Sequence, residues 1–457
     1  MKFNIPHTLV LLFGLMVISL ILTWIVPSGE FETEVNEHGQ EVIVPGTFTE
    51  AEEKERLSPV ALLTVVPRAL GDAQGIIFFV LIVGGAIAVV RETGAIDAFL
   101  GKVIHRFGNK PGLLIGVAMF AFALASATLG MAEEYIPFTI ILISLCVALR
   151  MDTITAVGTM VVGYGIGYGI AFINPFTLLV AQDVAELPPG SGMEYRLILA
   201  VPFLALGFHH VWSYSRQVRL DPSNSLVHDV SEAQPPEPSE YPELTTRRIA
   251  VLIAAVITLI GLILGIALAD WYLVELGAIF LGLAILTGII GGINLNDMAA
   301  TFTNGAAALT GTALLIGFAR SIALLLEDGE VLHTVVNSVA TPLETAGANL
   351  ASVGMLLIQS GLNFFIPSGS GQAFVTMPLM APIGDLVGVS RQISVLAFQF
   401  GDGLMNMIVP TNPVLMGVLG LAGIPYERWF RFIFPLIVKL LVLCSIALMV
   451  AVWIGYE

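Results

Sequence analysis

The chain has 457 residues, of which 56% are apolar and 12% are charged, and its mean hydropathy is +0.89. Soluble domains are usually about 45–50% apolar and about 25% charged, so this composition predicts an all-α polytopic membrane protein and excludes a soluble enzyme. The net charge of −16 argues against nucleic acid as a partner, and two cysteines are too few for a disulfide framework.

The N-terminal segment sets the expected orientation in the membrane. Its apolar run, Leu9–Val26, has no small-residue cleavage site after it, so we expect an uncleaved first span. The loop 28–58 holds nine glutamates, whereas the next polar break carries Arg91, Lys102, Arg106 and Lys110. Because cytoplasmic loops collect Lys and Arg, this pattern predicts a bacterial-type inner membrane protein with its N-terminus inside.

The next notable feature is a polar interruption within an apolar segment. The stretch ALASATLGMAEEYIPF, residues 123–138, divides the segment 111–149 into arms of about 14–18 apolar residues, too short to cross the membrane twice. We therefore expect a re-entrant helical hairpin whose tip is buried or lines a cavity. It is followed by GYGIGYGIAFINPF, residues 163–176, where proline is expected to break a helix and expose its backbone groups.

The second half repeats this order of features. After a Pro- and Glu-rich stretch, residues 215–248, the sequence LNFFIPSGSGQAFVTMP at 362–378 predicts a second hairpin over 348–386. The sequence GDGLMNMIVPTNPV at 401–414 then repeats the spacing G-x-G, eight residues, N-P.

The two copies begin on opposite sides of the membrane in the orientation derived above. Inverted-topology repeats of this kind are typical of secondary transporters. We therefore expect a first span with an external acidic loop at 1–57, inverted repeat 1 at 58–214, a cytoplasmic linker at 215–248, spans leading into the second repeat at 249–291, and inverted repeat 2 at 292–457.

At GMAEE, NPF, PSGSGQ and the second NP, the chain resembles the YfcC/DcuC-like branch of the ion transporter superfamily, over roughly residues 5–455. That branch includes basic amino-acid antiporters and anaerobic C4-dicarboxylate carriers. The resemblance implies a scaffold domain and a transport domain with two opposed hairpins, an elevator-type movement and a homodimer. It places the hairpin tips at Ser126–Glu134 and Asn363–Gln372.

The polar residues at the tips and breaks are the candidate ligands for a substrate or an ion. They are Ser126, Thr128, Gly130, Glu133, Glu134, Asn174, Pro175, Asn363, Ser368, Gly369, Ser370, Gly371, Gln372, Asp402, Thr411, Asn412 and Pro413. The hydroxyls and backbone amides of the PSGSG stretch are expected to form an anion-binding nest.

The acidic candidates have alternative explanations. Each carboxylate costs about 2.5–3.5 kcal/mol at mid-bilayer, so Glu133 and Glu134 serve either as a cation site or as caps of the hairpin tip. Asp402 stands where the first repeat has Tyr164, and either binds a substrate amine or an ion, or forms a buried pair with Arg320. Arg320 is accordingly that partner or a clamp for a substrate carboxylate.

These features predict a transporter rather than an enzyme. We expect an ion-coupled secondary transporter, driven by Na⁺ or H⁺, for a small carboxylate-bearing solute, either an amino acid or small peptide or, as the alternative, a C4-dicarboxylate. A channel is the remote second class. Membrane lipid is an expected partner, and no cofactor and no metal beyond a Na⁺ site at the hairpin tips are expected.

Overall fold

The computed structural model describes residues 8–35, 41–44, 47–50, 56–99, 102, 110–132, 135–174, 176–230, 242–269, 271, 273–340, 343 and 347–457. Within these ranges the chain is predominantly helical, as its composition predicts. In chain order the helices are α1 Thr8–Ile25, α2 Ala61–Asp72, α3 Gln74–Glu92, α4 Pro111–Leu129, α5 Ile136–Ala148, α6 Thr153–Gly169, α7 Leu178–Val184, α8 Met193–Leu220, α9 Thr246–Ala269, α10 Leu273–Gly291, α11 Leu295–Ala308, α12 Thr310–Asp328, α13 Leu332–Ala340, α14 Ala348–Leu362, α15 Gly369–Val387, α16 Arg391–Met405, α17 Pro413–Leu421 and α18 Tyr426–Ile454.

Several of these helices are long and apolar enough to cross a membrane. Within the described ranges, six segments meet this description: Gln74–Glu92, Pro111–Leu129, Met193–Leu220, Leu273–Gly291, Leu295–Asp328 and Tyr426–Ile454. Many of their apolar side chains are exposed on the outer surface, as lipid-facing side chains are. The chain is therefore a multi-pass membrane protein.

The first predicted hairpin is present, because the chain turns back after α4. The rings of Phe122 and Phe138 have centroids 6.0 Å apart, whereas a straight helix would separate positions sixteen residues apart by about 24 Å. Tyr135 also donates to the backbone oxygen of Phe122 at 3.0 Å. The arm α4 has 19 residues, about 28 Å, and is long enough to cross once, whereas the arm α5 has 13 residues, about 20 Å. The segment is therefore too short to cross the membrane twice, as expected.

The turn at the first tip requires glycine. Gly130 ends α4 with φ 70°, a left-handed conformation. A Cβ atom there would also lie 2.8 Å from Oδ1 of Asn174. Gly130 therefore both ends the helix and allows the tip to approach the first broken helix.

The second predicted hairpin consists of α14 and α15. Hydrogen bonds join its arms, since Gln359 donates to Oγ1 of Thr376 at 2.9 Å and Gln372 donates to the backbone oxygen of Gln359 at 2.9 Å. Ser368 is the N-cap of α15 and accepts from the amide of Gly371. The hairpin expected over 348–386 is confirmed, and its turn, between Leu362 and Gly369, overlaps the expected tip Asn363–Gln372.

Each hairpin is followed by a helix that is interrupted and then resumes, α6 with α7 and α16 with α17. The two interrupted helices cross at glycine, because a Cβ atom on Gly403 would collide with the backbone nitrogen of Gly169. The Gly-x-Gly motifs thus lie inside α6 and α16 and serve close packing. Asn412 caps the resumed helix α17, and Pro413 is its first residue, where a missing amide costs nothing.

Helix α8 connects the two ends of this assembly. Near its C-terminus Tyr214 donates to Asp152, the N-cap of α6, at 2.5 Å. Before its N-terminus the backbone oxygen of Gly192 accepts from Tyr456, and the backbone oxygen of Tyr456 accepts from Ser390, the N-cap of α16, both at 2.6 Å. Residues 192 and 214 are about 33 Å apart along a helical path, so α6 and α16 start at opposite ends of α8.

The helices form two groups. We call α4–α8 with α14–α18 the hairpin bundle, and we call the other helices, α1–α3 and α9–α13, the flanking bundle.

The acidic loop after α1 contains two short antiparallel pairs, Gly29–Glu30 with Thr49–Glu50 and Thr33–Val35 with Glu41–Ile43. The amide of Gly29 donates to the oxygen of Glu330 at 3.1 Å, so this loop packs on the end of α12.

Candidate functional site

A cavity of about 470 Å³ lies where the two bundles meet. Its size is within the range of small-molecule sites. Both hairpin tips, both helical breaks, and the facing helices α2 and α12 contribute to its wall. Its polar and glycine residues are Asp72, Gly130, Tyr164, Tyr168, Thr177, Arg320, Glu327, Ser368, Gly369, Ser370, Gly371, Asn406, Thr411 and Asn412.

Two helix N-termini face this cavity. The first turn of α15 begins at Gly369, and Ser368, Gly369, Ser370 and Gly371 all line the wall. The half-helix α17 begins at Pro413, which also lines the wall. The positive end of the helix dipole favours a negatively charged group at such positions. At α17 the dipole is the main contribution, because Pro413 has no amide and the amide of Leu415 is bonded to Asn412.

Asp402 lies directly behind the wall of the cavity. Its side chain is fully buried on α16, and its Oδ1 accepts from Asn363 at 2.9 Å and from Asn406 at 3.3 Å. Its Oδ2 has no hydrogen-bond partner among the described residues. That oxygen is 3.1 Å from the place where a Cβ atom of Gly369 would be, so it lies against a residue of the cavity wall.

The polar network around Asp402 is rich in oxygen acceptors without partners. Asn363 donates to Gln372 at 3.2 Å as well as to Asp402, which leaves its own Oδ1 unbonded within the described part of the chain. Thr411 Oγ1 and Gln399 Oε1 are likewise buried without a described partner. Buried oxygens that lack donors are suited to a proton or a hard cation.

The first hairpin tip is more fully satisfied. Ser126 donates to the oxygen of Met131 at 2.8 Å, and Thr128 donates to the oxygen of Leu124 within its own helix at 2.7 Å. Neither side chain lines the cavity, to which this tip contributes Gly130 and Ala132. Of the remaining predicted site residues, Glu133, Glu134 and Pro175 lie outside the described residues.

Arg320 does not pair with Asp402, so that sequence-based alternative is wrong. Its Nε donates to Asp72 at 2.5 Å, and its two terminal nitrogens donate to Glu327 at 3.0 and 3.4 Å. The reason is position: Arg320 is on α12 of the flanking bundle, opposite the hairpin tips. The sequence analysis did not identify Asp72 and Glu327, because charged residues near helix ends are usually exposed to solvent and have no specific role.

Tyr168 and Thr177 also escaped the sequence analysis. Tyr168 donates to the oxygen of Gly130 at 2.6 Å, and Gln399 donates to Thr177 at 2.7 Å and to the oxygen of Tyr168 at 2.6 Å. Tyr168 could have been found from the repeat. The 238-residue offset between the two motifs aligns it with Asn406, and both residues line the cavity.

Metal-binding clusters are not a feature of the described residues, where no three His, Cys, Asp or Glu side chains come together. In the network around Asp402, a cation would find one carboxylate together with amide and hydroxyl oxygens, which are ligands of hard cations.

Comparison with known proteins extends over the whole chain. The family model DcuC, described as C4-dicarboxylate anaerobic carrier, matches residues 5–453. The "Putative basic amino acid antiporter YfcC" of Escherichia coli K12 is 34% identical, with 100% of this chain and 98% of that protein covered. An uncharacterized protein of Haemophilus influenzae is 26% identical over 98% of this chain and 97% of its own. Among solved structures, the YdaH transporter of Alcanivorax borkumensis matches with a TM-score of 0.44 and 18% identity over 99% of both chains.

Proposed function

The chain belongs to the DcuC family, the C4-dicarboxylate anaerobic carriers, and is a secondary transporter; from this premise we propose that it couples the movement of a small carboxylate-bearing solute to a gradient of Na⁺ or H⁺. The solute that we favour is an amino acid or small peptide. A C4-dicarboxylate is the alternative, consistent with the description of the family, whereas the name of the YfcC relative points to basic amino acids.

One observation carries this proposal: two helix N-termini line one cavity between the two bundles, and a buried carboxylate lies behind its wall, against Gly369. The amides of α15 and the hydroxyls of Ser368 and Ser370 would bind the substrate carboxylate. Such charge-assisted bonds to backbone amides need no cationic side chain.

The coupling ion would bind behind this wall. Asp402 Oδ2 and Asn363 Oδ1, both buried without described partners, would bind Na⁺, or Asp402 would take up a proton. An uncompensated buried carboxylate is costly to move through a low-dielectric environment, and a bound cation removes that cost. Because Asp402 lies against Gly369, occupancy of the ion site would also order the amides that bind the substrate, which links ion and substrate binding.

The movement that we propose is of the elevator type, with the hairpin bundle sliding against the flanking bundle in each subunit of a homodimer. Both halves contain the same order of elements, a hairpin, an interrupted helix and a long helix. The starts of α6 and α16 at opposite ends of α8 support inverted repeats at 58–214 and 292–457. Arg428 pairs with Asp229 of the linker, so both lie at the same end of the hairpin bundle, and we propose that this end and the N-terminus are cytoplasmic.

The dicarboxylate alternative rests on a separate observation. The N-termini of α15 and α17 line the same cavity, so each could hold one carboxylate of a C4-dicarboxylate. In that case Asp402 serves the ion alone. An amino acid would instead place its one carboxylate where it reaches both the amides of α15 and Arg320 on the opposite wall.

Uptake into proteoliposomes tests the proposal. The purified protein is supplied with labelled L-arginine, L-serine, a dipeptide and succinate, each with an imposed Na⁺ gradient, an imposed H⁺ gradient or neither. Accumulation of one of these solutes against its own gradient, dependent on one ion, is the expected result. Solute flux that never exceeds equilibration, with either gradient, would indicate a channel and contradict the proposal.

Glu133 and Glu134 enter this test as sequence-based candidates. We propose that one of them contributes to cation binding, because two adjacent carboxylates inside a membrane segment require compensation. Glu133→Gln and Glu134→Gln should each be measured for accumulation and for counterflow exchange. Loss of accumulation with retained exchange is expected for the residue that binds the ion, and wild-type accumulation by both variants would assign the pair to capping.

A further inference from the structure

The flanking-bundle wall of the cavity carries a cluster of three charged side chains, Asp72, Arg320 and Glu327. Their side chains are 48%, 30% and 43% exposed, so water in the cavity reaches all three. The formal charge of the cluster is −1. It faces the hairpin-tip residues Ser368–Gly371, across the space in which a substrate would bind.

The two carboxylates hold Arg320 in different ways. Asp72 accepts from Nε, whereas Glu327 presents one oxygen to each terminal nitrogen, at 3.0 and 3.4 Å. The second arrangement is the bidentate fork that guanidinium groups form with any carboxylate. A substrate carboxylate would therefore fit the place that Glu327 occupies, while Asp72 would keep the guanidinium aimed into the cavity.

A second feature of the cavity points to a ligand. Thr411 is fully buried and lines the wall, and its hydroxyl has no hydrogen-bond partner among the described residues. A buried hydroxyl without a partner is disfavoured unless something bonds to it during the working cycle. It belongs to the hairpin bundle, so a ligand that reaches both Thr411 and Arg320 would bridge the two bundles.

We propose that Glu327 is a displaceable placeholder: the substrate carboxylate exchanges with it on Arg320, and Asp72 is a positioning residue for that guanidinium. This inference rests on the proposed transport of a carboxylate-bearing solute. The exchange is nearly balanced, because one carboxylate replaces another and partly exposed ion pairs contribute little net stability. Arg320 thereby becomes a specificity-determining residue that requires a carboxylate in the substrate.

The test compares two substitutions that remove the same charge from the same cluster. Whichever of labelled succinate, L-serine, L-arginine or the dipeptide the wild type accumulates serves as the probe, in proteoliposomes with the gradient held constant. Glu327→Gln should lower the half-saturation concentration roughly two- to fivefold, because a competitor is removed. Asp72→Asn should raise it, because the guanidinium loses its orientation. Generic electrostatics predicts instead that both substitutions shift it in the same direction.

Two further variants complete the experiment. Asp328→Asn removes the neighbouring charge, which pairs with Arg68 and does not line this cavity, and should leave half-saturation unchanged. Arg320→Lys keeps the charge without the fork and should raise half-saturation about tenfold or more. A shift of half-saturation in the same direction in Glu327→Gln and Asp72→Asn, or no shift in Glu327→Gln, would overturn the placeholder. Absence of accumulation in the wild type would instead overturn the proposed function.

Discussion

The two interrupted helices share the spacing of Gly-x-Gly and Asn-Pro, and they differ in the side chains that surround the break. In the first, Asn174 donates to the oxygen of Ser126 and accepts from the amides of Phe176 and Thr177. In the second, Asn412 donates to Asn406, which in turn donates to Asp402. The side chain of Asn174 thus bonds only to backbone groups, whereas that of Asn412 is hydrogen-bonded through Asn406 to the carboxylate of Asp402.

The same contrast appears in the charges near each break. In the first, the terminal nitrogen of the fully buried Arg196 donates to the oxygen of Ala171 at 3.4 Å, so a fixed cation lies at the end of α6. In the second, Asp402 has a carboxylate oxygen without a described partner. We infer that, of these two buried charges, Asp402 is the one that exchanges a cation or proton during the transport cycle, whereas Arg196 keeps its charge and supports the end of α6.

Substitution of the two residues that correspond in the repeats, Asp402 and Tyr164, should give the largest difference in uptake. Asp402→Asn keeps the shape of the side chain but removes the charge that a cation would neutralise, so gradient-driven accumulation should fall to the equilibration level. Tyr164→Phe, at the equivalent position of the first half, should retain most accumulation. Uptake with imposed gradients measures both, and counterflow exchange shows whether the folded carrier still binds substrate.

Two results would contradict that assignment of roles. If Asp402→Asn accumulates solute as the wild type does, the coupling charge lies elsewhere. If it loses affinity only for amine-bearing solutes while its ion dependence is intact, Asp402 binds the substrate, as one of the sequence-based alternatives holds.

The contrast also marks how far the sequence could predict this molecule. Polar, glycine-rich interruptions of apolar segments and the Asn-Pro pairs are local signals, and they located both hairpins and both breaks. The pairing of Arg320 with Asp72 joins residues 248 positions apart, and no local pattern encodes such a choice of partner. Thr128 was selected for its polarity alone, but in a helix a threonine hydroxyl readily bonds to a carbonyl of its own preceding turn.

Substitutions at the glycines where the two interrupted helices pack should give the next largest effect, a loss of stability. A Cβ atom on Gly403 would collide with backbone of α6 at Gly169, whereas one on the equivalent Gly165 would meet the flexible side chain of Met407. Gly403→Ala should therefore lower the free energy of unfolding by about 1–3 kcal/mol. Gly165→Ala should cost less, because the methionine can adopt another rotamer.

Thermal unfolding of the purified protein in detergent compares the two variants directly. The difference depends on backbone opposing one glycine and a side chain opposing the other. Equal destabilisation of both variants, or a greater loss in Gly165→Ala, would show that the two helices do not cross as described.

The smallest effect is expected for the two asparagines at the breaks, where a structural role can be distinguished from a role in binding. Asn412→Ala removes the N-cap of α17, and Asn174→Ala removes the acceptor of two amides at the first break. Each should cost about 1 kcal/mol of stability, the usual cost of such a cap. Only Asn412 lines the cavity and connects to Asp402, so only Asn412→Ala should also raise the half-saturation concentration for solute or ion. A kinetic change of equal size in Asn174→Ala would mean that both breaks take part in binding and that the asymmetry is confined to their static hydrogen bonds.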